Sequence, residues 1–178
     1  MPMFVALLRG VNVGKAKRVP MADLRALLAD MGYTRVATLL NSGNVVFHAA
    51  SGTAAKHATA IAAAIATHLA VQVPVVVKSA KEFAASIDAN PIAVHEAQHP
   101  RLLVAFIQDS RTLAGLTAVI EPLVVSPERF EAGKDAAYLL CARGILESKA
   151  AVALLGKAGA SATSRNWATV LKLKALIS

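Results

Sequence analysis

The sequence predicts an α+β fold of two ferredoxin-like (split βαβ) modules, antiparallel sheets with helices on one face, plus an extra C-terminal helix. Three observations carry the prediction. Short apolar runs of strand length alternate with segments of helical period. Over residues 1–78 the order is β-α-β-β-α-β. A related order, without a literal repeat, follows over 79–178. The expected domains are therefore 1–78, a basic N-terminal module, and 79–178, a C-terminal module with the terminal helix.

Phe4–Leu8 is an apolar run ended by Arg9-Gly10, as a buried strand is. Pro20 opens a helix in which Leu24, Leu27, Leu28 and Met31 share a face, and Gly32 stops it. Tyr33–Leu40 and Val45–His48 read as a hairpin around Asn41-Ser42-Gly43-Asn44. Thr53–Leu69 is an alanine-rich helix with Ile61, Ile65 and Leu69 on one side, and Val73–Val77 is the next strand. Ser79 caps a helix that ends before Asn90-Pro91, and a Pro-bracketed linker runs to Pro100. A strand over Arg101–Ile107, a helix to about Ile120 and two short strands near Arg129–Glu131 and Ala137–Cys141 follow. Two helices, Ile145–Leu155 and Arg165–Ile177, close the chain, with Thr163 or Ser164 as the cap of the last.

The net charge of +8 is unevenly placed. Residues 1–81 hold nine Lys/Arg and two acids, Asp23 and Asp30, whereas residues 82–178 hold ten and nine. A basic half joined to a balanced half favours an anionic partner or substrate, although charge also serves solubility. Five Phe, two Tyr and one Trp provide few surfaces for base stacking. Cys141 is alone in the apolar run AAYLLCA, which suits a buried small side chain and a reducing compartment. MPMFVALLRG is too short for a signal peptide, with its charge on the wrong side, and no stretch approaches a membrane span. The expectation is a cytoplasmic protein with no membrane partner.

The densest cation cluster is RGVNVGKAKR, Arg9 to Arg18. It is no Walker loop: Gly10 and Gly14 are too close, and Ala16 stands where a hydroxyl would bind magnesium. A weaker anion-binding reading survives. Glycines such as Gly14 admit a ligand to the backbone, Arg9 forks onto an oxyanion, and Asn12, Lys15 and Lys17 add donors and charge. In the hairpin, Asn41, Ser42 and Asn44 are candidates for ligand hydrogen bonds, though turn chemistry alone explains them. Arg165 and Asn166, read at a helix start, form a third candidate, because a cation there opposes the helix dipole unless an anion offsets it. Trp167 fits an apolar stripe better than a stacking platform.

His95–His99, HEAQH, satisfies a zinc-peptidase pattern. That chemistry needs two imidazoles one turn apart on a stable helix and a third ligand. Pro91 and Pro100 confine the stretch, no histidine follows His99, and only Glu121 is conceivable as a third ligand. No metal and no cofactor is expected.

The stretches ALLRGVNVGKAKRVPMADLRALL, LLNSGNVVF and TSRNWATVLKL, in that order and spacing, resemble the bacterial domain-of-unknown-function family 1697 across nearly the whole chain. The resemblance implies two ferredoxin-like modules and no established activity. The chain departs from the family where a second glycine and an asparagine are usual in the first loop and Lys15-Ala16-Lys17 stands here.

The leading functional expectation is a binder of an anionic ligand, either nucleic acid or a phosphorylated metabolite. One alternative is an enzyme acting on a small phosphorylated or nucleotide substrate, with Arg9, Lys15 and Arg165 stabilising charge. For it, Asp23, Asp30, His48, His57 and His68 are the available acids and bases, none beside an evident nucleophile. The other is an interaction module whose exposed sheet pairs with a second copy. In an ordinary module the first loop and the hairpin turn are expected at opposite ends of the sheet, and so as separate candidate sites.

Overall fold

The computed structural model describes residues 1–178 and contains two four-stranded antiparallel sheets with helices. The chain divides into two compact units, Met1–Phe83 with Ala175–Ser178, and Ala84–Lys174.

In the first unit the elements are β1 (Met3–Leu8), α1 (Met21–Asp30), β2 (Thr34–Leu39), β3 (Asn44–His48), α2 (Ala54–Leu69) and β4 (Val75–Ser79). The sheet order is β2-β3-β1-β4, the ferredoxin-like arrangement. β1 is central because every one of Phe4–Leu8 is apolar and buried. Period-2 alternation then sends Phe4, Ala6 and Leu8 into one core with Val45, Phe47 and Val77. Leu24 and Leu28 of α1 and Ile61 and Ile65 of α2, all without exposure, close that core. Burying side chains of this size contributes about 1.5–3 kcal/mol each. Thr53 caps α2 by accepting from the Lys56 N–H.

The second unit repeats the plan. It has β5 (Leu102–Ile107), α4 (Leu113–Ile120), β6 (Arg129–Ala132), β7 (Ala136–Leu140), α5 (Lys149–Leu155) and β8 (Ala162–Asn166), in the sheet order β6-β7-β5-β8. α3 (Ala80–Asp88) contains the division at Phe83–Ala84, and α6 (Trp167–Ile177) contains the one at Lys174–Ala175. Leu103, Ala105 and Ile107 pack with Leu116, Ile120 and Leu154, and Cys141 is buried among them. Burial pushes the Cys141 thiol up to about 11. On the other face of the sheet the Tyr138 hydroxyl donates to the Ser86 carbonyl of α3.

Three sequence expectations are corrected here. Residues 162–166 form a strand rather than the approach to a helix, so the second unit has the full β-α-β-β-α-β order. β5 pairs with β7 on one side and leaves its other edge to be satisfied; Ala162–Asn166 supplies those hydrogen bonds, and β-sheet pairing overrides the cap-like Thr163-Ser164 pair. Second, the cap of α6 is Asn166, whose side chain accepts from the Thr169 N–H. Third, the helix read from Ile145 begins at Lys149, where Ser148 accepts from the Ala151 N–H.

The helix cap read at Ser79 is present. Ser79 and Glu82 exchange side-chain-to-backbone hydrogen bonds at the start of α3. HEAQH lies in a 3₁₀ stretch, Glu96–Arg101, with His95 as its cap, so the two imidazoles do not ride one face of an α-helix. No group of three or more His, Cys, Asp or Glu is placed to hold a metal ion. No helix is long and apolar enough to cross a membrane.

One buried polar group tunes the first core. The His57 ring sits edge-on to Phe4, Tyr33 and Phe47, and its Nδ1 is 2.8 Å from the Tyr33 hydroxyl. Desolvation lowers the His57 pKa, and the Ser51 backbone acts in the opposite sense. The folded state therefore binds its proton less readily than the unfolded chain does. Stability from this group is complete above the ordinary histidine range and falls as pH drops below about 6.5. Urea denaturation between pH 7.5 and 5 is expected to show a loss of stability that His57→Phe reduces. An unchanged pH slope in that variant would remove His57 from the account.

Candidate functional site

The first loop and the hairpin turn meet. β1 pairs antiparallel with β3, with Leu7 opposite Asn44. The end of β1 and the start of β3 are therefore neighbours, and the turn before β3 lies beside the loop after β1. The expectation that they sit at opposite ends of the sheet is overturned by this pairing. Leu8 N–H donates to the Gly43 carbonyl at 2.8 Å, and Arg9 N–H to the Pro74 carbonyl at 2.9 Å.

Asn12 fastens the two segments together. Its carboxamide oxygen accepts from the Val19 N–H at 2.8 Å. Its nitrogen donates to the Val19 carbonyl at 2.8 Å and to the Asn41 carbonyl at 2.7 Å. Asn12 N–H donates to the Lys17 carbonyl at 3.1 Å, closing the loop on itself. Asn12 has φ 57°, in the left-handed region that asparagine tolerates better than most side chains, and Gly10, Gly14 and Lys17 have φ 67°, 63° and 49°. Val11 stays in the core, whereas residues 13–18, Lys15, Lys17 and Arg18 among them, are exposed. None of the three forms an ion pair. Arg9 is half-buried, and burial lowers its pKa.

The turn is built as tightly. Asn44 is fully buried, and its nitrogen donates to the Leu39 carbonyl and the Ser42 hydroxyl, each at 2.8 Å. Asn44 is thereby committed to the turn, and Ser42 Oγ to Asn44. Asn41 is different: its backbone carbonyl receives Asn12, while its exposed side-chain amide has no partner in the protein. A cleft of about 300 Å³ opens at the junction, lined by Asn12, Arg18, Val19, Pro20, Met21 and Asn41. Pro20 precedes α1 without a side-chain cap, and the Leu24 N–H returns to its carbonyl.

Arg165 and Asn166 lie in the second unit, on β8. Arg165 is buried opposite Val104 and donates to the Ser164 carbonyl, and burial pushes its pKa down to about 10. Asn166 serves α6 as its cap. Asp23, Asp30 and His68 line a separate groove between α1 and α2, and His48 Nδ1 lies 3.3 Å from the Met1 carbonyl.

Sequence reading missed the cleft walls, Arg18, Val19, Pro20 and Met21. The strand order alone would have found them: in β2-β3-β1-β4 the turn before β3 must abut the exit of β1.

A family model described as "Protein of unknown function (DUF1697)" matches residues 1–138. The chain is similar in structure to the conserved bacterial protein SP0830 from Streptococcus pneumoniae, with a TM-score of 0.77 and 24% identity over 99% of each chain. At that identity the likeness concerns the fold. No curated protein matches the chain.

The junction generates a stability prediction. A Cβ on Gly43 would lie 2.6 Å from Leu8 Cβ and 2.9 Å from Val11 Cγ2, at φ 84°. Gly43→Ala combines steric overlap with left-handed strain and is expected to cost about 2–4 kcal/mol. Gly14→Ala meets no neighbour and is expected to cost about 1 kcal/mol through its φ alone. Urea unfolding of the two variants checks the ranking.

Proposed function

The chain belongs to the DUF1697 family, proteins of unknown function, and we propose that its Arg9–Arg18 loop, beside the Asn41–Asn44 turn, binds the phosphate-bearing part of an anionic ligand. The ligand is a nucleic acid or a phosphorylated metabolite. The carrying observation is the Asn12 carboxamide. By holding Val19 and Asn41 at once, it forms a cleft lined by Arg18, in the loop that also carries the exposed Lys15 and Lys17.

Three features support this reading. Lys15, Lys17 and Arg18 have no carboxylate to satisfy them, so an incoming anion does not have to break an ion pair with these three. The first turn of α1 opens onto the cleft through Met21, and helix N-termini favour negative charge. The surrounding sequence, residues 1–81, carries nine cations against two acids, which steers anions toward it.

The test is an NMR titration of the ¹⁵N-labelled chain with pyrophosphate and with a single-stranded oligonucleotide. Amide shifts confined to residues 9–21 and 41–44 are expected. The triple variant Lys15→Glu, Lys17→Glu, Arg18→Glu should weaken binding at least about tenfold, or ~1.4 kcal/mol. Added salt should weaken it further. Titration with neither anion shifting these amides would contradict the proposal.

A further inference from the structure

We infer that the cleft between the first loop and the hairpin turn seats a nucleotide unit, base and phosphate together. The inference rests on the anion-binding reading of the same site and names its ligand class.

The cleft offers three different surfaces. Val19, Pro20 and Met21 form one wall, of which Val19 is buried, Met21 half-buried and Pro20 exposed. A proline ring and a thioether suit the face of a planar heterocycle. The second surface is the Asn41 side chain, exposed at the rim and without an intramolecular partner. A carboxamide presents an acceptor and two donors side by side, the pattern that reads a base edge in bidentate fashion. The third is Arg18, whose guanidinium has no carboxylate partner and forks onto a phosphate.

Asn12 is not part of the reading set, because Val19 and Asn41 already use both ends of its carboxamide. Asn44 is likewise committed to Leu39 and Ser42. Asn41 is thus the asparagine of this junction whose side chain is open to a ligand. A bare phosphate would leave both the Pro20–Met21 wall and the Asn41 amide unused. A sugar phosphate would set hydroxyls against the apolar wall. The volume, about 300 Å³, is at the small end of ligand sites and accommodates one base with its phosphate at the mouth.

The test uses the full chain, with AMP, UMP, ribose 5-phosphate and inorganic phosphate titrated separately and followed by the amides of residues 9–21 and 41–44. At least one nucleotide should bind about fivefold or more tightly than ribose 5-phosphate. Asn41→Ala should bring that nucleotide down to the ribose 5-phosphate level and leave ribose 5-phosphate itself unchanged. A purely structural role for Asn41 would lower all ligands alike. Equal affinity for all four ligands, or an unaltered nucleotide preference in Asn41→Ala, overturns the base seat while anion binding stands. No shift with any ligand or with pyrophosphate defeats the underlying reading as well. A ten-nucleotide single strand as competitor separates the sources. Tighter binding than the mononucleotide, with a steep salt dependence, identifies nucleic acid; affinity no better than the mononucleotide's identifies the free nucleotide.

Discussion

The antiparallel pairing of β1 with β3 is the constraint on which the first unit's surface depends. It follows from an apolar run, Phe4–Leu8, that can be satisfied only between two partner strands. Once Leu7 faces Asn44 and Leu8 donates to Gly43, the chain leaving β1 and the chain entering β3 occupy one corner. Everything proposed about function concerns what that corner presents to solvent.

The corner is closely packed at its base and open at its rim. Gly43 is pressed against Leu8 and Val11, with no room for a Cβ, and Asn44 is buried with its amide satisfied. Asn12 then closes the outgoing loop on Val19 through two hydrogen bonds and ties it to the turn through a third, to the Asn41 carbonyl. Each is worth about 1 kcal/mol net. They offset part of the entropy lost in ordering a loop whose left-handed residues would otherwise sample many conformations. Above the base, Lys15, Lys17, Arg18 and the Asn41 side chain remain uncommitted. Structural asparagines and open polar groups are thus sorted by depth, which is the arrangement a preorganised binding site requires.

Much of the fold was legible because local signals agreed with tertiary demands. Leu24, Leu28, Ile61 and Ile65 repeat at helical spacing and are the residues that fill the core. Ser79 reads as a cap and is one, whereas Thr53 reads as the first helical residue and Ser148 is hidden behind an apolar Ile145-Leu146 pair that reads as helix; both cap helices. β8 was illegible for a tertiary reason: Thr163-Ser164-Arg165-Asn166 looks like a cap, and only the unsatisfied edge of β5 makes it a strand. Of the site, the sequence showed the cations and the asparagines but not their roles. Asn12, Asn41 and Asn44 are chemically identical, and burial and hydrogen bonding decide which one holds the loop, which the turn, and which is free.

The account stands on the join between loop and turn. A ¹⁵N-edited NOE spectrum of the chain in solution measures it most directly. Cross-peaks from the Asn12 side-chain amide to protons of both Val19 and the Asn41–Ser42 segment are predicted. Cross-peaks to Val19 alone, with none to Asn41 or Ser42, would mean that loop and hairpin are independent and would contradict the single site.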